Sequence, residues 1–233
     1  MPGTTHPLEP LQTARDRLRL LRRRAVDERD AFDQFCTRVE VVPTTEATDV
    51  PDPILSMTTA TERGVSALRT SYRDTVLAVP HAVEPDVSLP AFDDLLPPGE
   101  AVELRWATRL TPALQTAIRD PATAEHERRV ERIGAVDAEL AALDRTEGLA
   151  RDLLAVESGT DGSTADRSRL ASLSRRCRRH TARRRATLAA RDQDPESTAL
   201  PADCYADLSV SDPVLSVLNA VADLLPASGA DTS

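Results

Sequence analysis

The sequence contains no lysine, so arginine supplies all 29 of its basic side chains. Acidic residues number 38, which leaves a net charge of −9. A G+C-rich genome alone favours arginine over lysine, but an excess of acid also keeps a protein soluble where salt screens repulsion within a few ångströms. The two features together predict a haloarchaeal, halophilic protein.

Aromatic residues are scarce at 3% of the chain, and only 8 of the 233 residues are glycine. A core with so few rings has to be built from Leu, Val, Ala and Ile, which suits seams between helices better than a β-sandwich or barrel. We therefore predict an all-α fold, in the form of an elongated helical bundle with coiled-coil-like long helices.

The three cysteines, Cys36, Cys177 and Cys204, lie far apart and form no CxxC pair. This spacing predicts neither a disulfide framework nor a zinc site. The N-terminal residues lack a basic region followed by an apolar run, and no stretch of 18 apolar residues occurs. We therefore expect no signal peptide, no membrane span and a cytoplasmic location.

A first long helix is predicted over residues 8–42, because small and apolar residues repeat there with heptad spacing. Glu28 is the polar exception, and Pro43 ends the helix because proline cannot continue its hydrogen bonds. The ten seam positions are Leu11, Ala14, Leu18, Leu21, Ala25, Glu28, Phe32, Phe35, Val39 and Val42.

A second long helix is predicted over residues 121–157. Asp120-Pro121 resembles a helix start, as do Thr111-Pro112 and Asp212-Pro213. Glu147 occupies a seam position in this helix, as Glu28 does in the first. Arg184 is a candidate partner for one of these two acids, and the alternative is that the seam is open to solvent there. The predicted seam is Ile133, Val136, Leu140, Leu143, Glu147, Ala150 and Leu154.

A third long helix is predicted over residues 164–192, after a capping box formed by Ser163 and Asp166. The short polar turn before it makes the second and third helices antiparallel neighbours. We expect a single all-α domain with a disordered tail. The remaining boundaries are 1–226 for the domain, 54–120 and 213–225 for the shorter helices, and 227–233 for the tail.

Two segments of the chain resemble a known family. The first runs from Leu68 to His81 (LRTSYRDTVLAVPH), and the second, from Cys204 to Leu215, contains CYADL and then DPVL. With the arginine-rich first helix, they are similar to a family of uncharacterised haloarchaeal helical proteins, a domain of unknown function. The resemblance covers nearly the whole chain and implies an all-α fold, but no activity. The family often has Tyr after His81, where this sequence has Ala82.

A basic cluster, RRCRRHTARRR, lies in the third long helix. Residues 163–192 carry ten arginines and two acids, a charge of +8, so the rest of the chain carries −17. This segregation indicates a nucleic-acid surface. The candidate residues of this basic surface are Arg175, Arg176, Arg178, Arg179, Arg183, Arg184 and Arg185.

The alternative is that the cluster is neutralised inside its own hairpin. If the second helix folds back on the third, Asp137 faces Arg183 and Asp144 faces Arg176, with Glu131 and Glu139 nearby. The cluster has no interleaved aromatic residue for base stacking, which favours this second interpretation.

The segment that contains Tyr72, Arg73 and His81 is a candidate polar motif. One interpretation is a pocket in which His81 acts as an acid, a base or a ligand. The other is that Tyr72 lies in the core and His81 caps the helix end, where a cation is stabilised by the helix dipole. We favour the second.

No histidine follows a glutamate by three residues, and the chain has no phosphate-binding glycine loop or nucleophile elbow. We therefore predict no metal, no cofactor and no catalytic residue. The leading hypothesis is a non-catalytic interaction or scaffolding protein that associates through helix faces with itself or another protein. A nucleic-acid-associated regulator using Arg175–Arg185 is the alternative, and an enzyme with a pocket near Tyr72 and His81 is the third.

Overall fold

In a computed structural model of the chain, the described residues are entirely helix, turn and loop. They form six α-helices and one short 3₁₀ helix, with no strand, which confirms the all-α prediction. The residues described are 8–44, 58–80, 89–107, 110–158, 164–193, 200, 204–205 and 208–224. The helices are α1 (Glu9–Val41), α2 (Thr58–Thr75), α3 (Pro98–Trp106), α4 (Pro112–Ser158), α5 (Thr164–Gln193) and α6 (Pro213–Leu224), with the 3₁₀ helix at Asp93–Leu95.

The chain divides into two compact units. One consists of Met1–Arg22 together with Arg132–Ser233, and the other of Arg23–Glu131. We call them unit 1 and unit 2; α1 and α4 contribute residues to both. That the two form a single domain stays a prediction. The predicted tail 227–233 and the Ser163 cap lie outside the described residues.

The heptad seam predicted for α1 is present. Eight of its ten residues are buried, and Leu21 and Val42 are half-buried. In unit 1 the seam joins a cluster of leucines and valines from α4, α5 and α6. In unit 2 it supplies Phe32 and Phe35 to a second cluster that also contains Tyr72 and Phe92.

The helix start predicted at Pro121 is wrong, because α4 begins at Pro112 and runs through Pro121 to Ser158. An interior proline removes a backbone hydrogen bond and crowds the preceding turn, at a cost of about 3 kcal/mol. Leu114, Ile118 and Ala122, on either side of Pro121, are all buried in the unit 2 cluster. Burial of this face on both sides of the proline offsets that cost and keeps the helix continuous.

The other two proline-linked starts are confirmed. The Thr111 side chain accepts a hydrogen bond from the backbone N–H of Leu114 at 3.2 Å, at the beginning of α4. Asp212 does the same for the N–H of Leu215 at 2.7 Å, at the beginning of α6. Each side chain satisfies a backbone donor that has no partner within its helix.

The predicted seam of α4 is correct at one heptad position and wrong by one residue at the other. Val136, Leu143 and Ala150 are buried as expected. At the second position the buried residues are Glu139, Thr146 and Leu153, whereas Leu140, Glu147 and Leu154 are half-buried. The apolar pattern missed this because two of the three buried residues are polar.

None of the helices in the described parts of the chain is long and apolar enough to cross a membrane.

Candidate functional site

The seven arginines of the candidate basic surface separate into one buried residue and six exposed ones. Arg184 is only 5% exposed and lies with Leu173 and Cys177 on the buried side of α5. The six exposed residues are Arg175, Arg176, Arg178, Arg179, Arg183 and Arg185. The sequence had marked Arg184 as a candidate partner for a seam acid, and it is the one arginine of the seven that lies in the core of unit 1.

Arg184 lies between two buried carboxylates. Its Nη1 donates to Glu139 at 2.7 Å and its Nη2 donates to the other oxygen of the same carboxylate. Its Nε donates to Asp212 at 2.7 Å, the residue that caps α6. Arg184 therefore connects α4, α5 and the beginning of α6 through charge-assisted hydrogen bonds.

Glu139 is 2% exposed and accepts hydrogen bonds from three side chains. Besides Arg184, they are Arg191 at 3.1 Å and the Tyr205 hydroxyl at 2.7 Å. Burial acts to raise the pKa of the Glu139 carboxyl, but the hydrogen bonds and charge of Arg184, aided by Tyr205 and Arg191, outweigh it and lower that pKa. The carboxylate therefore stays charged inside the unit.

Most of the predicted hairpin pairing is wrong. Asp137 pairs with Arg22 at 2.6 Å and Asp144 pairs with Arg15 at 2.9 Å, so both acids meet α1 instead of α5. The prediction considered only the two helices of the hairpin, whereas α1 also lies against α4 and supplies arginines of its own. The antiparallel arrangement itself is present, since Glu139 meets Arg184 and Thr146 meets His180.

A basic cleft lies between α4 and α5. Its volume is about 500 Å³. Within the described part of the chain, no acidic side chain lines it. The lining residues are Arg145, Gly148, Leu149, Arg176, Arg179, His180 and Arg183. Sequence reasoning missed Arg145, although the antiparallel register places it opposite the start of the cluster.

His180 is fixed at the edge of this cleft through one ring nitrogen. Its Nε2 lies 3.0 Å from the Thr146 hydroxyl, which itself donates to the Ala142 carbonyl at 2.8 Å. Since the hydroxyl proton is used there, Nε2 acts as the donor to Thr146. Burial lowers the pKa of His180, and the charges of Arg145, Arg183 and Arg184 lower it further. The ring is therefore neutral at pH 7.

The buried acid of the α1 seam has a different partner from the one expected. Glu28, 1% exposed, accepts hydrogen bonds from Arg24 at 2.8 Å and Arg129 at 3.0 Å. Arg129 also lies 5.1 Å from the ring centroid of Phe32, a cation–π contact. The expectation that Arg184 pairs with Glu28 or Glu147 is thus wrong, because nearer arginines pair with both acids.

Glu147 pairs with Arg15 and Arg151, so neither seam acid is left facing solvent alone.

Tyr72 is a core residue of unit 2. Its ring is fully buried and makes an edge-to-face contact with Phe35 at a centroid distance of 5.0 Å. Its hydroxyl donates to the Pro90 carbonyl at 2.8 Å, and burial raises its pKa. Arg73 is exposed beside Asp74. His81 lies outside the described residues.

The described residues contain no group of three or more His, Cys, Asp or Glu side chains that is close enough to hold a metal ion. Cys36 is half-buried and Cys177 and Cys204 are buried, all as free thiols. Burial raises the pKa of the Cys36 and Cys177 thiols, so neither is activated as a thiolate nucleophile.

Two residues of unit 1 make its stability depend on pH. The pKa of His180 is lower in the folded protein than its ordinary value of 6.5, so the unfolded chain binds a proton first as the pH falls. Stability therefore decreases below about pH 6.5. The pKa of Glu139 is also lowered, so its contribution is present above about 4.5 and is lost as the pH falls through the folded pKa.

We expect the free energy of unfolding, measured with urea between pH 4 and 8, to fall in these two ranges. His180→Gln should flatten the decrease below pH 6.5, and Glu139→Gln the decrease below pH 4.5. An unchanged pH profile in both variants would contradict these assignments.

Residues 9–228 match a protein family described as a domain of unknown function, DUF7260. No curated protein and no solved structure matches the chain.

Proposed function

The chain belongs to this domain-of-unknown-function family, and we propose that it is a non-catalytic interaction protein that binds an acidic protein partner through α5. The observation that carries the proposal is the exposure of three arginines that do not line the cleft. We call Arg175, Arg178 and Arg185 the outer arginines. Within the described residues none of them takes part in an ion pair, although acids outnumber bases along the chain.

Arginine suits a protein partner of this kind. A guanidinium donates two parallel hydrogen bonds to one carboxylate and is less strongly hydrated than an ammonium. Unit 1 itself uses this geometry between Arg184 and Glu139. A partner that presents Asp and Glu side chains would pair with the outer arginines in the same way.

A nucleic-acid-associated regulator is the second candidate. It is supported by the six exposed arginines, which the predicted hairpin pairing would have neutralised. One feature of α5 favours the protein partner over this candidate: the helix contains no Phe, Tyr or Trp on which a base could stack.

The two candidate functions predict different effects of salt on binding affinity. For a surface with about six phosphate contacts, a rise from about 0.15 to about 3 M salt costs roughly seven decades of affinity. Ion pairs that become partly buried in a protein interface are screened much less. The proposal therefore includes a haloarchaeal, salt-rich cytoplasm as the setting, which the absence of lysine and the excess acid support. It also includes coiled-coil-like packing along the seam of α1.

The proposal can be tested by affinity capture from the native host in molar salt. The variant Arg175→Gln/Arg178→Gln/Arg185→Gln should recover at least tenfold less of one co-purifying acidic protein than wild type does. The control Arg19→Gln/Arg23→Gln/Arg38→Gln removes three exposed arginines from α1 and should recover it normally. Nuclease treatment should have no effect. Equal recovery with both variants would contradict the proposal, and loss after nuclease treatment would favour the regulator.

A further inference from the structure

We propose that the basic cleft between α4 and α5 is a binding site for an oligophosphate, meaning a chain of two or three phosphate groups. Its lining combines four arginines with one neutral histidine. The site is distinct from the surface formed by the outer arginines, and the inference does not depend on the proposed protein partner.

The charge of the cleft is the first argument. Arg145 comes from α4, and Arg176, Arg179 and Arg183 come from α5, where spacings of three and four residues place them along one side of the helix. Among the described residues, the one ion pair of these arginines is a long contact of 3.9 Å between Arg176 and Asp152, both about half exposed. Four cations thus share one concavity in an acidic chain.

Elsewhere in the described structure, arginine side chains that lie close together form ion pairs with a shared acidic residue. Arg184 and Arg191 share Glu139, and Arg24 and Arg129 share Glu28. The cleft departs from this rule. Like charges held together repel one another, and a multivalent anion bound between them would remove that repulsion.

Size and shape select the kind of anion. About 500 Å³ exceeds what a single phosphate needs and is enough for a chain of two or three phosphates. Guanidinium groups on two walls match phosphate oxygens in bidentate pairs. Leu149 is the one large apolar residue of the lining, and no Phe, Tyr or Trp lines the cleft to give a nucleobase a large stacking surface. Recognition therefore falls on the phosphates.

His180 links this binding to pH. The charged groups that face it are Arg145 from α4 and Arg183 and Arg184 from α5, all of them cations. A bound anion reverses the sign of the local field, so the ring takes up a proton more readily when the site is filled. Because the filled site binds more protons than the empty one, His180 contributes a gain in affinity as the pH falls from 8 to 6, which opposes the loss caused by protonation of the oligophosphate itself.

Gly148 offers a way to fill the cleft without changing its charge. A Cβ atom at Gly148 would meet nothing within 4 Å, and the same holds for Gly134 in the same helix, which does not line the cleft. Leucine is a better helix former than glycine at both positions, so both variants should fold. Gly148→Leu is therefore the test, and Gly134→Leu is its matched control.

The experiment is isothermal titration calorimetry of the full chain with tripolyphosphate, in moderate salt, with thermal melting to check that each variant is folded. We expect Gly148→Leu and Arg179→Gln/Arg183→Gln to weaken binding at least tenfold. Gly134→Leu and the variant of the outer arginines should bind like wild type. Between pH 8 and 6 the ratio of wild-type affinity to that of His180→Gln should increase, because both proteins meet the same change in the charge of the ligand.

One further ligand, ATP, identifies the source of the phosphate chain. ATP that binds as tightly as tripolyphosphate would indicate a nucleotide, and weaker ATP would indicate a free oligophosphate; both support the site. The proposal is overturned if millimolar tripolyphosphate does not bind, or if Gly148→Leu and Gly134→Leu behave alike. It is also overturned if a DNA duplex alone binds and Gly148→Leu leaves that binding unchanged.

Discussion

Replacing Glu139 with alanine should lower the free energy of unfolding by about 3–5 kcal/mol, because it leaves a buried cation without its main partner. Arg184 would keep Asp212, but Glu139 supplies two of its hydrogen bonds and also accepts those of Arg191 and Tyr205. Such a loss is a large part of the 5–15 kcal/mol by which a typical domain is stable. Urea unfolding followed by circular dichroism, in salt that keeps wild type folded, measures it.

Asp144→Ala is the matched control for this change. It removes an acid of the same helix that also pairs with an arginine, but Asp144 is 68% exposed on its side chain. An exposed ion pair contributes about 0–1 kcal/mol, so the control should cost no more than that. Equal losses for the two variants would show that burial of the Glu139 network has no special importance for unit 1.

Phe35→Ala should cost about 3–5 kcal/mol, through lost burial and the cavity that it leaves. Phe35 is fully buried in unit 2, with Tyr72 at 5.0 Å and Phe92 at 6.0 Å between ring centroids. These three rings are half of the six aromatic residues of the chain. Removing Phe35 therefore disrupts contacts that no other residue type in this core replaces.

Trp106→Ala provides the comparison for an aromatic residue outside the core. Trp106 is 78% exposed, so its removal should change the free energy of unfolding by no more than about 0.5 kcal/mol. The same urea titration measures both variants. A loss for Trp106→Ala as large as that for Phe35→Ala would mean that the tryptophan is buried in solution.

The long helix α1 was predictable from the sequence because its seam is apolar over five heptads. Even its polar member, Glu28, lies on the predicted seam, and the structure shows that it is buried. The partner of Glu28 was not predictable, since Arg129 lies 101 residues away in the chain. Pattern analysis locates a buried face, but the side chain opposite it depends on how the helices are aligned.

Helix α4 shows two limits of the same method. Its seam contains Glu139 and Thr146, and a hydrophobic pattern counts such residues as exposed. Their burial depends on Arg184 and His180 from α5 and on Tyr205, none of which can be identified from the sequence of α4 itself. At Pro121 the local signal for a helix start was overridden by burial of the residues on both sides.

The candidate site was predictable in part. The cluster of charge on α5 is evident from the sequence, and so is the antiparallel hairpin. Helix α1 decides which acids of α4 remain for α5, because Arg15 and Arg22 of α1 pair with acids of α4. It thereby also affects which arginine of α5 is buried. The basic cleft arises because α1 and α5 compete for the α4 acids. A prediction made from α4 and α5 alone could not include this competition and missed the cleft.

The most direct test of α5 as a binding surface is the ratio of captured partner between two triple variants of equal charge. One replaces the outer arginines Arg175, Arg178 and Arg185 with glutamine, and the other replaces Arg19, Arg23 and Arg38 of α1. We predict that a single acidic protein is recovered at least tenfold less with the first variant than with the second, with or without nuclease. A ratio near one would show that the exposed arginines of α5 do not hold the partner.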